Sequence, residues 1–316
     1  MTAETRFEGD DHGEALRLRL ATELRDDLVE RAVSLPLGSQ PALVRVAHLC
    51  QLRGASISQI ARMAAADPSF AATLLRIANS AASASRYPIA DLRTAVTRLG
   101  TRMVGMLAVA APTLRLLAAP QDELSDVRRE IHRHSIRVGV VAREISPGSI
   151  HAETALAAGL VHNVGLGVLS LYAPIGLRRT LAASAPGLPL WALEQEVFGF
   201  SHAELGGLLA REWRYPDFLV GAIEEHDAEQ PESPLAALVQ IADLLVRESG
   251  VGVEPPMEIR TEVARMARLV PDQVYERTRW LLSVAPERTE AEAALRPDEL
   301  SAVQLIRAFD ELERAA

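Results

Sequence analysis

The 316-residue chain has no lysine; all 33 of its basic side chains are arginine. Base composition of the genome is a sufficient reason, but the consequence for function holds: any mechanism that needs a lysine is excluded. There is a single cysteine, Cys50, so no disulfide can form within the chain, which fits a reducing compartment. Aromatic residues make up only 4% against 48% hydrophobic, so the core must be built from Leu, Val, Ile and Ala, of which Leu and Ala are strong helix formers. Basic charge is also short. The formal net charge of −9 argues against nucleic acid as the main partner, because phosphate binding needs a clustered basic face. The first residues, MTAETRFEGDDHGEALRL, lack the apolar segment of a signal peptide. No uninterrupted apolar run approaches the roughly 20 residues of a membrane span. The expected location is the cytoplasm, with no membrane partner. Alternating β-branched runs and Asn-Gly or Asp-Gly turns are nearly absent, and no fixed-period repeat is visible. The expected fold class is all-α.

What is present is helix signal from end to end. Residues 14–33 read as a charged amphipathic helix that stops before Leu35-Pro36. From Pro41 to Arg53, Leu43, Val46, Ala47 and Cys50 recur at i, i+3, i+4 and i+7, and Gly54 ends the pattern. Cys50 therefore reads as core filler rather than nucleophile. Ser56 with Gln59 forms a capping box, Asp67-Pro68 an N-cap and first helical residue, and Asp91 a further N-cap. Asn79 and Ser80 precede a Ser-rich loop. The plainer reading is helix termination, and the other is that Asn79 bonds across to a neighbouring element. Thr101 to Pro120 is too apolar for an exposed linker, so flanking segments should share a core, and Pro112 should kink or end that helix. In the second half, Ser201 and Glu204 form another capping box, and Ser233-Pro234 opens a helix. Two or three further helices are expected beyond about residue 257.

The informative residues break the apolar pattern. Val127, Ile131, His134, Val138, Val141 and Ile145 alternate at steps of four and three, so His134 lies inside an apolar stripe. His162 interrupts the apolar segment from Ala152 to Leu171, His226 shares a face with Leu219 and Ile223, and Asp243 aligns with Val239 and Val246. One such histidine is usually a satisfied core residue. Four polar groups from four helices, one a carboxylate, are the way helical bundles assemble metal sites, since a buried carboxylate is costly unless paired or metal-bound. His12, His48, His132 and His151 lack this placement and read as surface or boundary residues.

The second half resembles the HD superfamily of metal-dependent phosphohydrolases, which use a His, an adjacent His-Asp pair and a later Asp. His134 in HRHSIRVG corresponds to the first His, GLVHNVGLGVL to the His-Asp segment, and Asp243 in QIADLLVRES to the last Asp. SHAELGGLLAREW, with His202, and AIEEHDAE, with His226, correspond to additional histidines of some members. In the first half, LPLGSQPALVRV, DPSFAATLLRIANSA and the Ala95–Gly100 segment resemble the HDOD domain, a divergent output branch of that superfamily in bacterial signalling proteins. The resemblance covers about residues 35–250. It implies an N-terminal lobe, 35–118, packed on an HD-like bundle, 119–250; outside it, the helix signal alone gives an amphipathic helix in 1–34 and further helices in 251–316. The implied metal positions are His134, His162, Asn163, His202, His226 and Asp243.

Two departures decide the expectation. Asn163 stands where the enzymes have Asp, and Leu166 where they often have Lys. A neutral amide is a poor ligand for a hard cation, and losing an anion and a cation weakens both water activation and phosphate neutralisation. The expectation is a non-catalytic regulatory module with a vestigial site and at most weak divalent-metal binding. Its partner would be another signalling protein or a small nucleotide. The rival is an active phosphohydrolase or cyclic-nucleotide phosphodiesterase, which the retained histidines and Asp243 keep open. A DNA-binding reading of Ser56 to Ala82 as a helix-turn-helix fails on charge, because the would-be recognition helix offers only Arg76.

Overall fold

The computed structural model describes residues 7–254, apart from 36–39, 53, 81–87, 119–121, 147 and 186–187. The helices expected beyond residue 257 lie outside the described residues. In chain order the helices are α1 (Phe7–Val33), α2 (Gln40–Gln51), α3 (Ile57–Ala64), α4 (Pro68–Ser80), α5 (Leu92–Leu99), α6 (Thr101–Leu117) and α7 (Ser125–Ile145). They continue as α8 (Ala152–Val161), α9 (Val164–Tyr172), α10 (Pro174–Ala183), α11 (Leu190–Phe198), α12 (His202–Glu212), α13 (Asp217–Glu225) and α14 (Pro234–Glu248). Among the described residues there is no strand, only an isolated bridge between Ala185 and Leu188.

The helix starts follow their caps. Ser56 accepts from the Gln59 amide while the Gln59 side chain accepts from Ser56, and Ser201 with Glu204 repeats the exchange. Asp67 Oδ1 accepts from the Phe70 amide at 2.9 Å, and Asp91 Oδ1 from Thr94 at 2.9 Å. Asp67 has a second task that its sequence position does not reveal: its carboxylate also takes the Arg115 guanidinium at 2.6 and 2.9 Å, tying the start of α4 to α6. At the end of α4, Asn79 bonds outward as well as terminating the helix. Its Nδ2 donates to Ile89 O at 2.9 Å and its Oδ1 accepts from the Ile89 amide at 2.6 Å, so one side chain pins the chain ten residues on.

One apolar cluster runs from Leu28 and Leu43 through α6 to α14. Met103 to Ala111, Leu116 and Leu117 of α6 are buried, and α6 packs on α2 on one side and on α8 and α9 on the other. Pro112 does not end α6, which runs on to Leu117; kink or stop was the expectation, and only the stop is ruled out. The segment Ala152–Tyr172 corrects another expectation, since it is long and apolar enough to cross a membrane. It breaks between α8 and α9, and 89% of its most apolar window is buried, so its apolarity is explained by the interior of the bundle. Cys50 is half-buried against the cluster, and burial pushes its thiol up to about 11.

Candidate metal centre

Two close helix crossings bring the polar residues together. A Cβ on Gly159 would collide with the backbone of Gly139, so α8 lies directly on α7, and His162 at the end of α8 comes opposite His134. A Cβ on Gly165 would strike the carbonyl of His202, so the start of α9 lies directly on the start of α12. The result is a buried row of four imidazoles. Ring centres are 5.5 Å apart from His134 to His162, 5.0 Å from His162 to His226, and 5.2 Å from His226 to His202.

Each ring is held by its Nδ1. His134 Nδ1 lies 3.0 Å from Val251 O, His162 Nδ1 2.7 Å from Gly159 O, and His226 Nδ1 2.7 Å from Ile223 O. His202 Nδ1 lies 2.7 Å from the Glu194 carboxylate. Backing one nitrogen in this way leaves Nε2 to face the interior, which is how ligating histidines are oriented in metal sites. Two groups of ligand atoms result, each within 4.8 Å: His134, His162 and Asp243, and His202, His226 and Asp227.

At the first group, His134 Nε2 meets Asp243 Oδ1 at 2.7 Å, while His162 Nε2 stands off at 4.0 Å and has no hydrogen-bond partner. Asp243 thus has one histidine donor, His134. The rest of its charge is met by Arg247, whose Nη1 lies 3.5 Å from Oδ2 and whose Nη2 reaches Glu254 at 3.1 Å. Burial alone would push His134 down, but the hydrogen bond and charge of Asp243 outweigh it and raise its pKa. Asp243 goes the other way: burial opposes, yet His134 and Arg247 hold it below the usual carboxylate range. Each partner thus favours the charged form of the other. Burial first, and then the neighbouring His226 and His134, hold His162 well below the ordinary value, so it is neutral with an available lone pair.

At the second group, burial opposes but Glu194 and Asp227 prevail, and His202 is pushed up to about 10. His202 Nε2 then donates toward His226 Nε2 at 3.2 Å and Asp227 at 3.3 Å. His226 is lowered, chiefly by burial, with the His202 charge adding to it.

All six sequence-derived positions converge. Asn163 is buried at the start of α9 and shares a closed depression with His134, Arg247 and Gly252 to Glu254. Three participants were not foreseen. Asp227 directly follows His226; Glu194 falls on the apolar stripe of α11 with Leu190, Leu193 and Phe198; Arg247 lies one turn after Asp243. One position was misjudged. His132, read as surface or boundary, is buried with an unpartnered Nδ1, and burial lowers its pKa to about 4. His48 and His151 are exposed as expected, and the side chain of His12 lies outside the described residues.

By donor type, both groups suit a borderline divalent ion such as zinc, manganese or iron, and the partnerless Nε2 of His162 is what a missing ligand would leave. Against a good fit stand the neutral Asn163 and the buried Arg247 cation beside Asp243.

The HDOD domain matches residues 37–229. An uncharacterized protein of Treponema pallidum (strain Nichols) is 25% identical over 232 residues, covering 72% of this chain and 45% of its own length. The chain spans less than half the length of the curated relatives it matches. Among solved structures, an inferred signal transduction protein of Marinobacter aquaeolei VT8 superposes with a TM-score of 0.65 at 21% identity, covering 90% of this chain and 66% of that one. An inferred phosphohydrolase of Shewanella amazonensis SB2B superposes with a TM-score of 0.63 at 20% identity, covering 88% and 97%. At these identities the superpositions establish the fold. The family match spans more than half of the sequence, and the chain belongs to the HDOD domain family.

Proposed function

We propose that the chain is a non-catalytic regulatory module of HDOD type, in which the buried histidine–carboxylate row ties helices together and does not serve as a reaction centre. The observation that carries this reading is closure. The segment after α14 lies over the first ligand group: Val251 O meets His134 Nδ1, the Gly252 amide donates to Glu130 at 3.0 Å, and Glu254 pairs with Arg247. The depression bounded by His134, Asn163, Arg247 and Gly252 to Glu254 has no free volume for a water molecule. A phosphoester has no place to sit there. The chemistry points the same way, since Asn163 supplies no anion, no lysine exists, and the nearby cation Arg247 is engaged by two carboxylates. The module would act through contacts with another signalling protein or a small ligand, in the cytoplasm.

A manganese titration followed by thermal melting tests this reading on the natural chain and on Asn163→Asp. The natural protein should gain little; the variant, with an anion restored beside His162, should gain clearly more. A second reading, an active metal-dependent phosphohydrolase, is favoured by the Nδ1 anchoring of all four histidines and by the unpartnered Nε2 of His162. Strong manganese stabilisation of the natural chain, with phosphodiester turnover, would establish that reading instead.

A further inference from the structure

A cleft of about 1000 Å³ opens between α2 and α6 on one side and the starts of α8, α13 and α14 on the other. It is separate from the histidine row. His151 lies in the cleft wall and His162 at the far end of α8, roughly 15 Å of helix away at 1.5 Å per residue. Its volume is at the upper end of small-molecule sites.

The lining has a consistent character. Its floor is apolar, with Val44, Met106, Val109 and the exposed ring of Phe218 among the side chains. The chain carries 42 acidic residues, yet no Asp or Glu appears among the described lining residues. Two arginines do, Arg102 and Arg214, both exposed and without an ion pair among the described residues. Arg214 holds a left-handed backbone, φ 57, at the end of α12, a position that favours glycine. Three helix starts reach the cleft with no side-chain cap: Gly100 before α6, His151 before α8 and Pro216 before α13. Glu153 and Asp217 already stand in the first turns of α8 and α13, and the Thr154 and Leu219 amides bond to His151 O and Pro216 O, so it is the start of α6, with no acidic residue in its first turn, that favours an added anion. Trp213, 95% buried, adds part of its ring to the apolar wall.

We propose that this cleft binds a small organic anion. An apolar body would rest on the α2–α6 floor, and one carboxylate or phosphate group would be held by Arg102, Arg214 and the start of α6. The site would serve as the input of the module. The proposal goes beyond the metal-site reading and does not depend on it, because the two sites share no residue.

The test uses the full chain and anilinonaphthalene sulfonate, an apolar aromatic anion, followed by fluorescence. Bound probe is challenged with decanoate, with adenosine monophosphate and with decanol. The expected result is one saturable site per chain, displaced by decanoate if a carboxylate head is preferred or by the nucleotide if a phosphate is, and not by decanol at equal concentration. Arg102→Gln combined with Arg214→Gly should weaken the probe by about tenfold or more while the melting temperature is retained, since glycine suits the left-handed position. Absence of a saturable site, unchanged affinity in the double variant, equal displacement by decanol, or displacement by neither anion would each overturn the proposal.

Discussion

Asp243→Ala probes the ionic tie at the centre of the bundle. Asp243 is 6% exposed, hydrogen-bonded to His134 at 2.7 Å and faced by Arg247 at 3.5 Å, so it joins α14 to α7 through a buried charged contact. Removing one member of a buried ion pair costs about 3–5 kcal/mol, because the partner stays behind uncompensated. Two features place this case toward the lower end. His134 can release its proton once Asp243 is gone, since burial alone pushes its pKa down, and Arg247 keeps Glu254 at 3.1 Å. A loss near 3 kcal/mol corresponds to a melting point lower by about 6–10 °C for a domain of this size. Circular dichroism at neutral pH measures it. Asp243→Asn, which keeps an acceptor for His134, should fall between parent and Ala. If Asp243→Ala melts like the parent, the buried tie is not made, and the convergence of α7, α8 and α14 on this carboxylate is wrong.

Asn79→Ala breaks both bonds to Ile89 and should cost about 1–2 kcal/mol in denaturant unfolding; a loss of a few tenths would reduce Asn79 to a helix terminator. His132, folded near 4 against about 6.5 unfolded, makes stability full above about pH 6.5, with a loss that grows to about 3 kcal/mol as pH falls toward 4. His132→Leu should remove that part of the acid sensitivity, and an unchanged pH profile would show that His132 is solvated. Cys50, pushed up to about 11, should react slowly with iodoacetamide at pH 8, where about one thiol in a thousand is ionised, and faster with each further unit; a rate that levels near pH 9 would contradict its burial.

Much of the fold was legible because the caps are local. Ser56, Asp67, Asp91, Ser201 and Ser233 each bond within three residues, so short sequence windows contain the whole signal. The placement of His134, His162, His226 and Asp243 was legible because each interrupts an apolar stripe, and family resemblance supplied His202 and Asn163. What escaped depends on partners distant in sequence. Arg115 meets Asp67 across 48 residues, and the strap from Val251 to Glu254 reaches His134 across 117. His132 was misplaced because α7 is buried on more than one side, as His132, Arg137 and Ser135 all show; a single-stripe reading fails for a central helix. The cleft has no sequence signature, since its wall is assembled from five separated segments.

We propose that the histidine–carboxylate row is not a working metal centre. Elemental analysis of the full chain purified without added metal, paired with a phosphodiester hydrolysis assay in manganese, tests it most directly. The expected result is well under one tightly bound iron, manganese or zinc ion per chain and no turnover. A stoichiometric ion together with hydrolysis abolished by Asp243→Ala would contradict it.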